Sequence, residues 1–217
     1  MKYTTTILLA ATLLSMNCTS ELDGKPVAKV GEAKGDVKPA TDVKPDVKAD
    51  APAVERTLKA DPATSTIAFV GAKLTGDHKG DFKTFTGSAT VAGTTPKSVN
   101  FSIDMTSVTS DADDLTTHLK SKDFFSVEEF PKAVFSSTAL TPKTEGAANY
   151  EVTGDLELHG IKKSIVFPAT ITVDDRGAKG SAEFKINRKD FKIEYPGKPD
   201  DLIKDEVLLK ISLNFVP

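Results

Sequence analysis

The sequence has no tryptophan, one cysteine and three histidines among 217 residues. With Cys18 as the only thiol, no internal disulfide can form, so an oxidising compartment adds no cross-link to the fold. His78, His118 and His159 stand far apart, and none pairs with a second ligand at metal-binding spacing; no metal site is expected. Charge of one sign is lacking too. The net charge is −3 and no basic stripe occurs, which argues against a nucleic-acid partner. No serine occupies a Gly-x-Ser-x-Gly elbow, and the cysteine is N-terminal, so nucleophilic catalysis has no candidate. The segment Gly76-Asp77-His78-Lys79-Gly80 is flanked by glycines but leads into a strand, not into a helix that could receive a phosphate. No catalytic residue and no cofactor is expected, and after Leu14 no run is long and apolar enough for a membrane helix.

What is present begins with a targeting segment over residues 1–17. Lys2 and the α-amine form a short basic start, and Ile7–Leu14 is an apolar run of secretory-signal length. The run ends at Ser15-Met16-Asn17-Cys18, where a lone cysteine after an export signal reads as the acceptor of a bacterial lipoprotein anchor. Ser15 and Asn17 depart from the Leu and Gly/Ala/Ser usual at those positions, so cleavage and release is the alternative. Buried acyl groups at about 0.8 kcal/mol per CH₂ would hold the chain to a membrane surface. Thr19, rather than an aspartate, follows Cys18 and favours the outer membrane. The expected location is exported and periplasmic, as an outer-membrane-anchored lipoprotein.

From Thr19 to Ala63 there is no aromatic residue. Five prolines (Pro26, Pro39, Pro45, Pro52, Pro62) interrupt a mixture of Lys, Asp and Glu, and Asp-Val-Lys recurs at Asp36, Asp42 and Asp46. Such a composition buries too little apolar surface to offset the entropy of ordering. Residues 18–63 are therefore expected to be a disordered tether, spanning on the order of 40 Å as a flexible coil.

All twelve phenylalanines lie between Phe69 and Phe215, which places the globular domain at residues 64–217. Its hydrophobic period is two. Val99, Phe101, Ile103 and Met105 alternate with Asn100, Ser102 and Asp104; Ala182, Phe184 and Ile186 alternate with Glu183 and Lys185. The same holds for Ile165–Val173 and Val207–Phe215. This alternation marks strands with one face inward. Turn signals at Gly93-Thr94-Thr95-Pro96, Glu145-Gly146, His159-Gly160 and Asp174-Asp175-Arg176-Gly177 separate them. Eight strands are predicted, beginning near Thr66, Phe82, Val99, Ala133, Tyr150, Ser164, Gly180 and Glu206. Only Asp113–Lys120 reads as a helix, with Asp113 or Asp114 as its cap. Eight antiparallel strands suggest closure, which removes exposed edges. Alternation by itself fits a sandwich equally well, and it leaves open whether a barrel is filled or holds a slender ligand.

One segment breaks the alternation: HLKSKDFFSVEEFP, His118–Pro131. Five blocks in order, one of which contains this segment, carry a family resemblance. These are GAKLTGDHKGDFKTFTG (Gly71–Gly87), VNFSIDMTSVTSDADDLTTHLKSKDFFSVEEFPKAVFSS (Val99–Ser137, which contains the segment), VTGDLELHGIKKSIVFP (Val152–Pro168), FKINRKDFKI (Phe184–Ile193) and KDEVLLKISLNF (Lys204–Phe215). The chain resembles the YceI-like family of periplasmic, lipocalin-like polyisoprenoid-binding proteins. It differs at Leu115 and Thr116, where many members carry Arg-Asp. The resemblance implies an all-β fold: an eight-stranded antiparallel lipocalin-like barrel with one short helical segment. It further implies a non-enzymatic binding or carrier protein of the cell envelope, with a polyisoprenoid, isoprenoid quinone or similar long-chain amphiphile inside the barrel. The inward residues Phe69, Phe101, Ile103, Phe135, Phe167, Ile171, Phe184 and Leu209 would contact the ligand, and Phe124 and Phe125 would sit at the barrel mouth. Relatives of this kind often pair, so a homodimer is implied as one assembly. The competing reading is an envelope stress-response or protein-interaction module whose barrel is filled.

Overall fold

A computed structural model describes residues 20–33 and 54–217. The signal segment, Cys18 and the middle of the expected tether lie outside these residues. Strands account for most of the described chain: β1 (Lys29–Glu32), β2 (Glu55–Ala60), β3 (Thr66–Lys73), β4 (Gly76–Phe82), β5 (Phe85–Ala92), β6 (Thr95–Asp104), β7 (Val108–Ser110), β8 (Lys132–Pro142), β9 (Tyr150–Leu158), β10 (Ile161–Asp174), β11 (Gly177–Asn187), β12 (Gly197–Lys198) and β13 (Asp201–Val216). The helix α1 covers Asp113–Lys120.

These strands close into an antiparallel barrel of eight staves. Three staves are each broken once, so that β2–β3, β4–β5 and β6–β7 act as single bent strands. β2 pairs with β5 and β3 with β4; β5 pairs with β6 and β4 with β7. The ring then runs β6–β8–β9–β10–β11–β13 and returns to β3 and β2. Every sequential stave pairs with its neighbour in an up-and-down order, so closure covers the strand edges except where β10 and β11 part. The hairpins follow their turn chemistry. His159 and Gly160 both have positive φ (52° and 70°), the two-residue geometry that matches the twist of β9 and β10.

The eight predicted strands and the helix are all present. The helix cap differs: Ala112 is the N-cap, while Asp113 and Asp114 fall in the first turn, where they oppose the positive end of the helix dipole.

The expected tether and domain boundary need correction. The barrel begins at Glu55, not at residue 64, because β2 supplies half of the first stave. Residues 20–33 also lie on the barrel. β10 and β11 are paired only from Thr170–Ser181 to Asp174–Gly177 and then splay apart. β1 fills that seam, antiparallel to β10 (Lys29 opposite Val166, Glu32 opposite Lys163). On the other side the Ala28 N–H donates to the Lys185 carbonyl, and the Lys185 N–H to the Pro26 carbonyl, each at 2.8 Å. Two open strand edges hold unpaired backbone groups that must find partners, and a polar segment satisfies them as well as an apolar one. Three apolar residues of the segment land on prepared surfaces, while Val27 stays exposed. Ala28 and Val30 join the interior cluster, and Leu22 packs outside the wall on Val70, Ala72 and Leu208. Ion pairs fix the rest: Glu21 with Lys79 (2.7 Å), Lys163 with Glu32 (2.6 Å), and Lys25 with Glu183.

Candidate functional site

Inward side chains of the staves make one apolar core that runs the length of the barrel. Among the described residues, two cavities lie inside it. The larger, about 140 Å³, lies toward the end closed by α1 and the Phe124–Phe125 segment. The smaller, about 70 Å³, lies toward the turns after β5 and β10. A further groove of about 770 Å³ runs over the outer wall, beside Glu21, Lys79 and the Lys143–Ala148 loop.

The expected contact residues all face the interior. Phe69, Phe101, Ile103, Phe135, Phe167, Phe184 and Leu209 line the larger cavity, whereas Ile171 lines only the smaller one. The rings form a row across the lumen. Phe101 on β6 stacks on Phe135 of β8 at 5.1 Å between centroids; Phe135 meets Phe167 of β10 at 5.6 Å; Phe167 stacks on Phe184 of β11 at 4.1 Å. The intervening strand β9 makes room with Gly154, where a Cβ would stand 2.4 Å from the Phe135 ring.

Phe124 and Phe125 separate. Phe125 turns inward onto Phe69 and Phe82, at 6.4 and 6.0 Å. Phe124, also on the cavity wall, packs against His118 and Tyr195 at 5.0 and 5.2 Å. The backbone that presents them wraps the end of α1: the Phe125 N–H donates to the Leu119 carbonyl and the Val127 N–H to the Lys120 carbonyl. His118 is held by Asp123, with Nε2 2.8 Å from a carboxylate oxygen, which fixes the ring edge against both aromatics.

The one charged residue on the larger cavity is Arg188, only 4% exposed. Its guanidinium points into the wall: Nη1 donates to the Ile193 carbonyl (2.6 Å) and Nε to that of Lys204 (3.2 Å). Burial draws its pKa down, opposed by Asp205 and Glu194. Sequence reasoning did not single it out. Asn187, which caps the following short turn by accepting from the Lys189 N–H, was the available signal that the next residue enters a tight bend. Among the described residues, no group of three or more His, Cys, Asp or Glu side chains comes together. The chemistry this interior offers is contact with hydrocarbon.

The sequence pattern of the YceI-like domain matches residues 58–215. The chain belongs to the YceI-like family. Among curated relatives, a UPF0312 protein of Pseudomonas putida (strain W619) is 35% identical over 126 residues, which cover 54% of this chain and 65% of that protein. A UPF0312 protein of Photorhabdus laumondii is 37% identical over 120 residues, 52% of this chain and 61% of that one. The shared region thus spans less than two thirds of those relatives. In three dimensions this YceI-like chain is similar to BcnA of Burkholderia cenocepacia (TM-score 0.63, 24% identity, 71% of this chain and 98% of that one). It is also similar to a polyisoprenoid binding domain from Saccharophagus degradans implicated in plant cell wall breakdown (TM-score 0.60, 16% identity, 77% and 100%). At these identities the structural likeness establishes the shared barrel.

Proposed function

We propose that this YceI-like protein is a non-enzymatic binding or carrier protein of the bacterial cell envelope that holds the hydrocarbon tail of a polyisoprenoid, an isoprenoid quinone or a similar amphiphile inside its barrel. The observation that carries this reading is the larger interior cavity, walled by aromatic and aliphatic side chains, with the guanidinium of Arg188 turned away into the wall. Burying hydrocarbon there contributes about 0.8 kcal/mol per CH₂ before ordering costs, so a tail needs no specific polar contact. The Saccharophagus domain of the same fold, described as polyisoprenoid-binding, supports the choice of ligand class. Cys18 is proposed as a lipid-modified anchor that places the barrel at the outer membrane. Cys18→Ser is expected to move the protein from the membrane fraction to the soluble periplasmic fraction; unchanged membrane attachment would rule the anchor out.

A second reading, an interaction or stress-response module with a filled barrel, is favoured by the small size of the cavities, below the about 300–1,000 Å³ usual for ligand pockets. Native mass spectrometry of the full chain purified from bacterial envelopes separates the two. A bound mass matching a prenyl lipid or quinone is expected. A bare mass, unchanged after incubation with prenyl lipids, would sink the carrier reading and leave the filled barrel. The same spectrum reports whether the protein is a dimer.

A further inference from the structure

Among the described residues, the lumen holds two cavities that meet at a shared wall. Phe101, Phe135 and Phe167 are the only aromatic residues that line both cavities among the described residues. Their rings stand in an unbroken row, 5.1 and 5.6 Å apart, from β6 across β9 to β10, and Phe184 on β11 extends it by a stacked contact at 4.1 Å. The row is rigidly set. Phe135 and Phe184 are each 1% exposed, and Gly154 lets the Phe135 ring lie directly over the β9 backbone, a position any side chain there would deny it. On one side of the row the wall is mainly Ile, Leu, Met and Phe; on the other Ala89, Ala169, Ala178 and Ala182 stand beside larger apolar residues such as Leu140 and Phe215.

We infer that the Phe101–Phe135–Phe167 row is the length stop of the ligand site: it ends the hydrocarbon tail in the larger chamber and withholds the smaller chamber from it. This rests on the carrier reading above and adds a selectivity to it. A cavity of about 150 Å³ holds a benzene-sized guest, so the larger chamber takes about one five-carbon prenyl unit. Tail beyond that unit meets the row and gains no further burial. The chamber behind it is apolar and empty, so removing the central ring joins the two volumes into a longer slot.

The test is calorimetric titration of the full chain with prenol, geraniol and farnesol, which differ by one prenyl unit per step. For the unaltered protein each added unit is expected to change affinity less than about 3-fold. For Phe135→Ala, the first added unit is expected to tighten binding at least about 10-fold, since each newly buried CH₂ contributes roughly a further 4-fold. Phe135→Leu, which keeps more of the packing, carries the same comparison if the alanine variant does not fold; thermal unfolding of each variant reports that. A steep length dependence already present in the unaltered protein, or parallel profiles in protein and variants, would overturn the stop while leaving the carrier reading intact. Absence of binding by all three alcohols to every form would overturn both.

Discussion

Gly154 and Arg188 show how single positions hold the interior in shape. A methyl group at residue 154 would enter the Phe135 ring at 2.4 Å, and neither the β9 backbone nor a ring packed on two others can yield. Gly154→Ala is therefore expected to destabilise by about 1–3 kcal/mol, the usual range for overpacking a core. That should appear as a drop of several degrees in the thermal midpoint by circular dichroism. Gly180 is the control: it has ordinary φ and nothing within 4 Å of its virtual Cβ, so Gly180→Ala should leave the midpoint unchanged or slightly raised. Arg188 acts through carbonyls. Arg188→Met keeps the stem against the cavity but leaves the carbonyls of Ile193 and Lys204 without their donor. A loss of about 1–3 kcal/mol in urea unfolding follows from the desolvated acceptors; no loss would mean that water replaces the guanidinium.

At the scale of elements, β1 is the piece whose removal the barrel would register most directly. It closes the splayed part of β10 and β11 through backbone bonds, with only Ala28 and Val30 contributing to the core. Ala28→Pro deletes the donor to Lys185. Hydrogen exchange at Lys185, whose own N–H bonds to Pro26 in the same ladder, should then accelerate, and uptake of a hydrophobic dye should rise as the seam opens over Ile165 and Phe184. Unchanged exchange would show that β1 decorates a wall already sealed. The turns carry a pH dependence. The Thr106 hydroxyl and then its N–H hold the Asp104 carboxyl below its usual range, and the Arg176 N–H and then its guanidinium do the same for Asp174. The unfolded chain binds these protons at about pH 4, the folded one only at lower pH. The stabilisation is complete above pH 4 and is lost as pH falls through the lowered values. Asp104→Asn should flatten the acid limb of a stability–pH curve and leave its neutral region parallel to the original.

The molecule as a whole depends on ring closure, in which the last strand meets the first: Phe215 opposite Ala60, and Ser212 opposite Thr66. Such non-local pairing makes folding slow, in the millisecond-to-second range typical of all-β domains, and makes the staves depend on one another. Phe215 is 4% exposed, so Phe215→Ala should cost about 3–5 kcal/mol. The barrel should still melt in one transition, with near- and far-ultraviolet dichroism coincident. Separate transitions would mean that the closing stave unfolds alone.

The period-two pattern of Val99–Met105, Ile165–Val173, Gly180–Ile186 and Val207–Phe215 determined the staves and which side chains face inward, because a strand's alternation is local geometry. The ordered blocks from Gly71 to Phe215 determined the family for the same reason: spacing is written in the chain. What only the tertiary structure decided depends on where two strands part or where rings meet across space. Residues 20–33, which carry no aromatic side chain, looked unable to order, yet open edges on β10 and β11, over a hundred residues away, supply the missing hydrogen bonds. Leu208 sat on the nominal outer face, yet it is buried in a cluster with Leu22, Val70 and Ala72. Phe101, Phe135 and Phe167 were each legible as inward, but their joining into one partition depends on the ring of Phe135 lying across a glycine on the neighbouring strand. The alternation of any single strand carries no information about that contact.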